Sequence, residues 1–371
     1  MPIDLSTIPR AALEELARRQ LLREVPKELE QRATLKRQKE ESEQDFLAFV
    51  QMMWPVLEPD PDKPFIGGWI IDLLVDVMMC VTDGDLVRVC INVPPGSAKS
   101  SLLNVLLPAW HWGPLNKPHM RYLSISYSTV VPVRDNLRFS KIIKSPQYQA
   151  CWGDRFKLDQ DGAEVVSNDK TGWKRVTSVT GSTTGLRGDF LLLDDLNNPM
   201  DVESEVVRDT TNRFVREIMP SRLNDAEKSC IINLQQRTHE ADATGTLLEH
   251  GQGYTFVCVP AEFDPLRIFP VVMRRDEDGE PTEVWVDPRS LGDDGRQLPG
   301  LKKNARGETI VEPGSLMAAA EGTSFWPERF PEAELQRLKK TMDAYAYDSQ
   351  YLQTPGVRGG GTIRRDWWKL W

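Results

Sequence analysis

The stretch VCINVPPGSAKSS, residues 89–101, passes from an apolar run through a proline–glycine loop to a lysine and a serine at a helix start. That order suits a loop that holds phosphates. Backbone N–H groups and the following helix N-terminus can surround phosphate oxygens. In this reading Pro95, Gly96, Ser97, Ala98, Lys99, Ser100 and Ser101 bind ATP. Lys99 neutralises the β- and γ-phosphates, and Ser100 offers its hydroxyl to Mg²⁺. The loop departs from the GxxxxGK[ST] pattern, with Val93 at the first glycine and Ala98 at the second. Alanine is tolerated there if its φ is negative. An ordinary strand–turn–helix with a surface lysine would carry the same residues.

A second acidic half-site lies in GSTTGLRGDFLLLDDLNNP, residues 181–199. Four apolar residues precede Asp194 and Asp195. Asp194 is placed to hold Mg²⁺, and Asp195 to orient or deprotonate an attacking water. A strand that simply ends in solvated acids is the plain alternative. Both half-sites, on successive parallel strands, together point to one nucleotide site.

The elements that must position them follow a rhythm. LVRVCINV (86–93), MRYLSISY (120–127), FLLLDD (190–195), KSCIINLQ (228–235) and GYTFVCVP (253–260) read as buried strands. Residues 46–57, 67–81, 100–110, 130–143, 203–218 and 240–249 read as helices. Continuous apolar strands alternating with helices predict an α/β fold, with a mostly parallel sheet covered on both faces. Residues 10–44 predict exposed helix with sparse apolar positions. The polar stretch 261–324 predicts an elaborated loop or hairpin region, and 325–353 predicts helix again. Arg134 and Arg138 lie one turn apart, so both can face one side. DNA contact and a solvated helix face are equally open for them.

Composition narrows the classes. The net charge of −9 over 371 residues argues against a surface coated in basic patches. The cysteine count is odd, with no CxxC pair, and the five cysteines read as small hydrophobes in a reducing compartment. The N-terminus lacks the apolar stretch of a signal peptide, and no run reaches the ~18 apolar residues of a membrane span.

With these residues in view, the chain resembles the large terminase family over roughly 46–371. Besides the two half-sites, the resemblance rests on FVQMMWPVLEPDPDKPFIGGW, SISYS (124–128), YQACWGDRF (148–156), LQQRTHEADATGTLL (234–248), FWPERF and SQYLQTP (349–355), in family order. It implies a P-loop NTPase of the RecA/ASCE-like kind, with a small helical lid. It implies an ATPase motor that moves double-stranded DNA into a procapsid in the host cytoplasm. The implied partners are a portal protein and a small terminase subunit. The implied assembly is a pentameric ring, with a monomer in isolation. Gln236, Arg237, Thr238, His239 and Glu240 match the coupling segment, although helix capping and solvation also suit His239 and Glu240. Arg187 matches an arginine that reaches a neighbour's ATP, although an ion pair to Asp189 or another acid would equally account for it. Similar proteins often carry an arginine within the phosphate loop, where this chain has Gly96.

The implied layout is an N-terminal arm and part of the lid over 1–60, an ATPase core over 61–260, the insertion over 261–324 and the rest of the lid over 325–358. A linker over 359–371 would lead toward a nuclease domain, so nuclease activity is not expected of this chain, and Trp367, Trp368 and Trp371 would be left uncovered or disordered. Another P-loop DNA-dependent ATPase or helicase, and a non-hydrolysing nucleotide-binding assembly scaffold, remain the alternatives.

Overall fold

The computed structural model describes residues 29–181, 185–250 and 253–356. The predicted arm is represented by α1 (29–42), mostly exposed, as its sparse apolar positions imply. Residues 1–28, the 359–371 linker and its tryptophans lie outside the described residues.

Each predicted strand forms: β1 (Arg88–Asn92), β2 (Arg121–Ser126), β6 (Phe190–Asp194), β7 (Cys230–Gln235) and β8 (Thr255–Cys258). They belong to one eight-stranded sheet of order β3-β4-β5-β2-β6-β7-β1-β8. The run from β5 to β8 is parallel, while β3 (Leu158–Asp161) and β4 (Val165–Asn168) are antiparallel at one edge. The two half-sites are not on adjacent strands, contrary to expectation. The wholly buried strand CIINLQ of β7 pairs with both β1 and β6 and separates them. Its C-terminal end therefore opens between the phosphate loop and the acidic pair.

Alternate residues of each strand feed opposite faces. Val89, Ile91, Leu192 and Ile232 join one apolar cluster, with α2 (Phe46–Leu57), α3 (Trp69–Asp83) and α4 (Leu107–Trp112). Cys90, Leu191, Leu193 and Ile231 join the other, with Phe214, Val215 and Leu247. Both faces are thus covered, which explains why these strands read as continuous apolar runs.

β5 (Trp173–Ser178), next to β2, carries no such signal. Its Lys174 and Arg175 hide a strand whose Lys174 side chain is fully buried. The 261–324 region contains two hairpins, β9 (Val271–Arg275) with β10 (Pro281–Trp285), and β11 (Leu301–Lys303) with β12 (Thr309–Val311). Beyond α9 (Leu316–Ala320), the last helical segment divides into α10 (Glu332–Thr341) and α11 (Ala344–Gln350). Phe325, Trp326 and Leu335 pack into the same cluster as α2 and α3. The Trp326 indole donates to the Gly67 carbonyl at 2.8 Å.

The five cysteines are all free, and four are buried. No helix among the described residues is long and apolar enough to cross a membrane.

Candidate nucleotide site

Residues 93–100 leave the C-terminal end of β1 as a loop and enter a helix. Gly96 has φ +81 and Ala98 has φ +58. The condition of a negative φ at Ala98 is therefore not met. The loop turns its backbone inward through a left-handed residue, and the methyl group is carried at a local cost. Ser97 is fully buried and its Oγ has no hydrogen-bond partner. The helix starts with a π-wound stretch, Ser101–Leu106. Pro108, one turn beyond Asn104, has no N–H to offer the Asn104 carbonyl.

The acidic pair meets this loop. Lys99 Nζ donates to Asp195 Oδ1 at 2.9 Å, and both side chains are largely withdrawn from solvent. Asp195 has φ +45, and several contacts hold it there. Its N–H donates to Leu234 O at 3.1 Å, and its carbonyl accepts from Tyr127 N–H and the Ser126 hydroxyl, each at 3.3 Å. Ser126 and Tyr127 belong to the SISYS stretch, so the end of β2 sets the angle of the second carboxylate. A strained non-glycine residue at such a place is what a site with fixed geometry requires.

Asp194 is buried. One of its oxygens accepts from Asn104 Nδ2 at 3.0 Å, and the other, Oδ1, has no hydrogen-bond partner. Burial first, and then the charge of Asp195, pushes its carboxyl well above the usual range, against the pull of Lys99 and the Ser100 hydroxyl. An unsatisfied buried carboxylate oxygen beside a serine hydroxyl suits a hard cation that keeps most of its waters, as Mg²⁺ does. Ser100 and Asp194 would hold it.

The cleft over these residues measures about 660 Å³, and Lys99, Ser100, Asp195 and Gln236 line it. Gln236, just past β7, donates its N–H to Asp195 Oδ1 at 3.1 Å. The rest of the predicted coupling segment turns away from the cleft. Arg237 Nε donates to both oxygens of Asp242, and its Nη2 reaches the carbonyls of His239 and Glu240. Asp242 also caps α8 (Ala243–Glu249) by accepting from Gly245 N–H. Thr238 N–H donates to Asp242, His239 Nδ1 accepts from Ala241 N–H, and Glu240 is exposed. Asp242 rather than His239 or Glu240 caps α8, so of the plain alternative of helix capping and solvation only the exposure of Glu240 is seen. Burial, then Arg208, lowers the His239 pKa.

Arg187 is exposed and is not brought to this cleft. It precedes β6, while Asp194 ends that strand. About 20 Å of extended chain separates them, beyond the reach of an arginine side chain. The alternative ion pair to Asp189 does not form either. Asp189 instead accepts from Arg121 N–H and from Asn224.

Four residues around the site, Asn104, Glu58, Arg134 and Arg138, have no place in the nucleotide site read from the sequence. Asn104 lies four residues after Ser100, one helical turn, and that spacing is the available signal. Arg134 and Arg138, between whose two readings the sequence does not choose, line the cleft with Glu58.

No protein-family model matches the chain, and no curated protein matches it. Among solved structures it is similar to the large terminase of bacteriophage HK97, at 12% identity and TM-score 0.46, over 84% of this chain and 55% of that one. It is also similar to the large terminase of a thermophilic bacteriophage in complex with ADP, at 9% identity and TM-score 0.31, over 57% of this chain and 45% of that one. The chain spans about half the length of these terminases.

Proposed function

We propose that this chain is the ATP-hydrolysing motor of a viral genome-packaging machine of the large-terminase kind, driving double-stranded DNA through a portal into a procapsid. The observation that carries the ATPase reading is the meeting of the 95–101 loop with Asp194 and Asp195 in one cleft. The ordered motif set supports the packaging role. The portal and small-subunit partners, the pentameric ring and the location in the host cytoplasm are parts of the same proposal. So is a lid built from 1–60 and 325–358.

The geometry supports the following roles. Loop N–H groups and Lys99 bind the phosphates, so Lys99 exchanges Asp195 for a phosphate oxygen. Ser100 and Asp194 would hold Mg²⁺, which would supply charge neutralisation at the phosphates. Asp195, freed from Lys99, orients the attacking water and accepts its proton. Arg187 lies too far from its own cleft and serves a neighbouring subunit's site in trans.

Steady-state ATPase rates against protein concentration test this for wild type, Lys99→Ala, Asp195→Asn and Arg187→Ala. Lys99→Ala should lose nucleotide binding. Asp195→Asn should bind and not turn over. Arg187→Ala should bind normally and lose any rise in rate per subunit with concentration. Wild-type rates for both Lys99→Ala and Asp195→Asn would sink the ATPase reading. A concentration-dependent rise kept in Arg187→Ala would remove only the trans arginine.

A further inference from the structure

The loop from Pro94 to Ser101 contains a single cation, Lys99. A nucleotide's phosphate tail carries several negative charges, and the cleft has two more cations along its rim. Both come from α5 (Val130–Lys144), which packs against the π-wound start of the helix after the loop. Arg138 Nη1 donates to Ser101 Oγ at 3.0 Å, and Nη2 donates to Glu58 Oε1 at 2.6 Å. Its side chain is 23% exposed, so the guanidinium is held in place and not spread over the surface. Arg134, one turn earlier, is 57% exposed and pairs with the buried Asp135 at 2.8 Å, and Asp135 Oδ1 also lies 3.7 Å from Arg138 Nη1. Glu58 comes from a separate part of the chain, at the end of α2.

We propose that Arg138 is a phosphate-binding residue of this chain's own cleft, kept in reserve by Glu58. The proposal rests on the nucleotide reading of the cleft and adds a residue and a control to it. Arg138 already bonds the hydroxyl next to the proposed Mg²⁺ ligand Ser100. Its fork of five N–H donors accepts phosphate oxygens as readily as a carboxylate. A phosphate tail carries more charge than Glu58, so it wins the competition for the guanidinium at short range. Glu58 then sets the threshold, because every nucleotide that recruits Arg138 must displace it.

The variants Arg138→Ala and Glu58→Gln separate this from a structural tie between α2 and α5. Dissociation constants for a fluorescent, non-hydrolysable ATP analogue with Mg²⁺ would be measured at several salt concentrations, with melting temperatures alongside. Arg138→Ala should weaken binding about tenfold and make the salt dependence shallower, and Arg138→Lys should recover part of the loss. Glu58→Gln should act in the opposite direction and tighten binding several-fold. The opposite signs are the diagnostic, because a merely structural pair weakens binding whichever partner is removed. Weaker or unchanged binding in Glu58→Gln overturns the proposal, and that variant suffices if Arg138→Ala does not fold. Lys99→Ala is the control on the cleft itself. If wild type binds no analogue, or Lys99→Ala binds as wild type does, the nucleotide reading falls and takes this inference with it. If Lys99→Ala abolishes binding and Glu58→Gln does not tighten it, only the inference about Arg138 falls.

Discussion

Ala98 and Gly96 sit two residues apart in the same loop, both at positive φ, and their substitutions should move stability in opposite directions. Ala98 carries a side chain in a conformation that costs a non-glycine residue on the order of 1 kcal/mol. Ala98→Gly relieves that strain, partly offset by the greater freedom of glycine in the unfolded chain. A net gain of several tenths of a kcal/mol, up to about 1, is expected from urea denaturation. At Gly96 a Cβ would stand 2.9 Å from Phe330 Cζ and would also be held at φ +81. Gly96→Ala should therefore cost about 1–3 kcal/mol. If Ala98→Gly loses stability, residue 98 does not hold the left-handed turn. The composition of the loop was readable in the chain, but its handedness at residue 98 was not, because a pattern of letters carries no dihedral angle.

Among elements, β5 shows what patterning hides. Lys174 is fully buried between this strand and α5, its Nζ donating to Asn136 Oδ1 at 3.2 Å and lying 5.7 Å from the Phe139 ring centre. Burial lowers its pKa to about 7, against the pull of Asp135. An unfolded lysine titrates at about 10.4, so across this window the unfolded chain binds a proton that the folded one does not. Stability should accordingly rise as pH goes from 7 toward 10, with the full cost present below pH 7. Lys174→Met keeps the apolar stem and removes the amine, at the smaller expense of the Asn136 bond. It should raise stability at pH 7 by about 1–2 kcal/mol and flatten the slope between pH 7 and 9, as read from urea midpoints. Equal slopes in the two proteins would show that the amine is solvated. The strands at the centre of the sheet were legible because burial on both faces forces uninterrupted apolar runs. β5 was not, because a lysine satisfied by Asn136 and a ring reads as a surface residue. Likewise, Asp194, Asp195, Lys99 and Ser100 stood out by type and spacing. Arg138 stood out only as one of a helical pair and not as a cleft residue, because its partner Glu58 is 80 residues away.

At the scale of the whole molecule, the segment 324–354 meets both the phosphate loop and the chain that leaves the cleft after Gln236. Phe330 lies against Gly96, and Gln353 meets the segment that follows β7. The second contact forms a chain. Asp195 Oδ1 accepts from Gln236 N–H at 3.1 Å, and the next N–H, that of Arg237, donates to Gln353 Oε1 at 2.9 Å. Gln353 is itself at φ +55, and its amide donates to Gln350 O, while Tyr345 OH donates to Thr238 O at 3.1 Å. In the proposed mechanism Lys99 would transfer from Asp195 to a phosphate, so the carboxylate would lose its strongest partner and its hold on Gln236 would change. The shift would be delivered to two adjacent backbone amides, one of which is bonded to Gln353 at the exit of α11. Nucleotide with Mg²⁺ should therefore alter amide hydrogen exchange over residues 343–354. In Gln353→Ala that response should shrink, while nucleotide affinity stays within about threefold, since coupling and binding are separable free energies. An unchanged exchange response in Gln353→Ala would mean that the signal leaves the cleft by the other route, through Phe330. A Phe330→Leu variant, which thins the contact with the loop but keeps its apolar character, would then be the one to lose it.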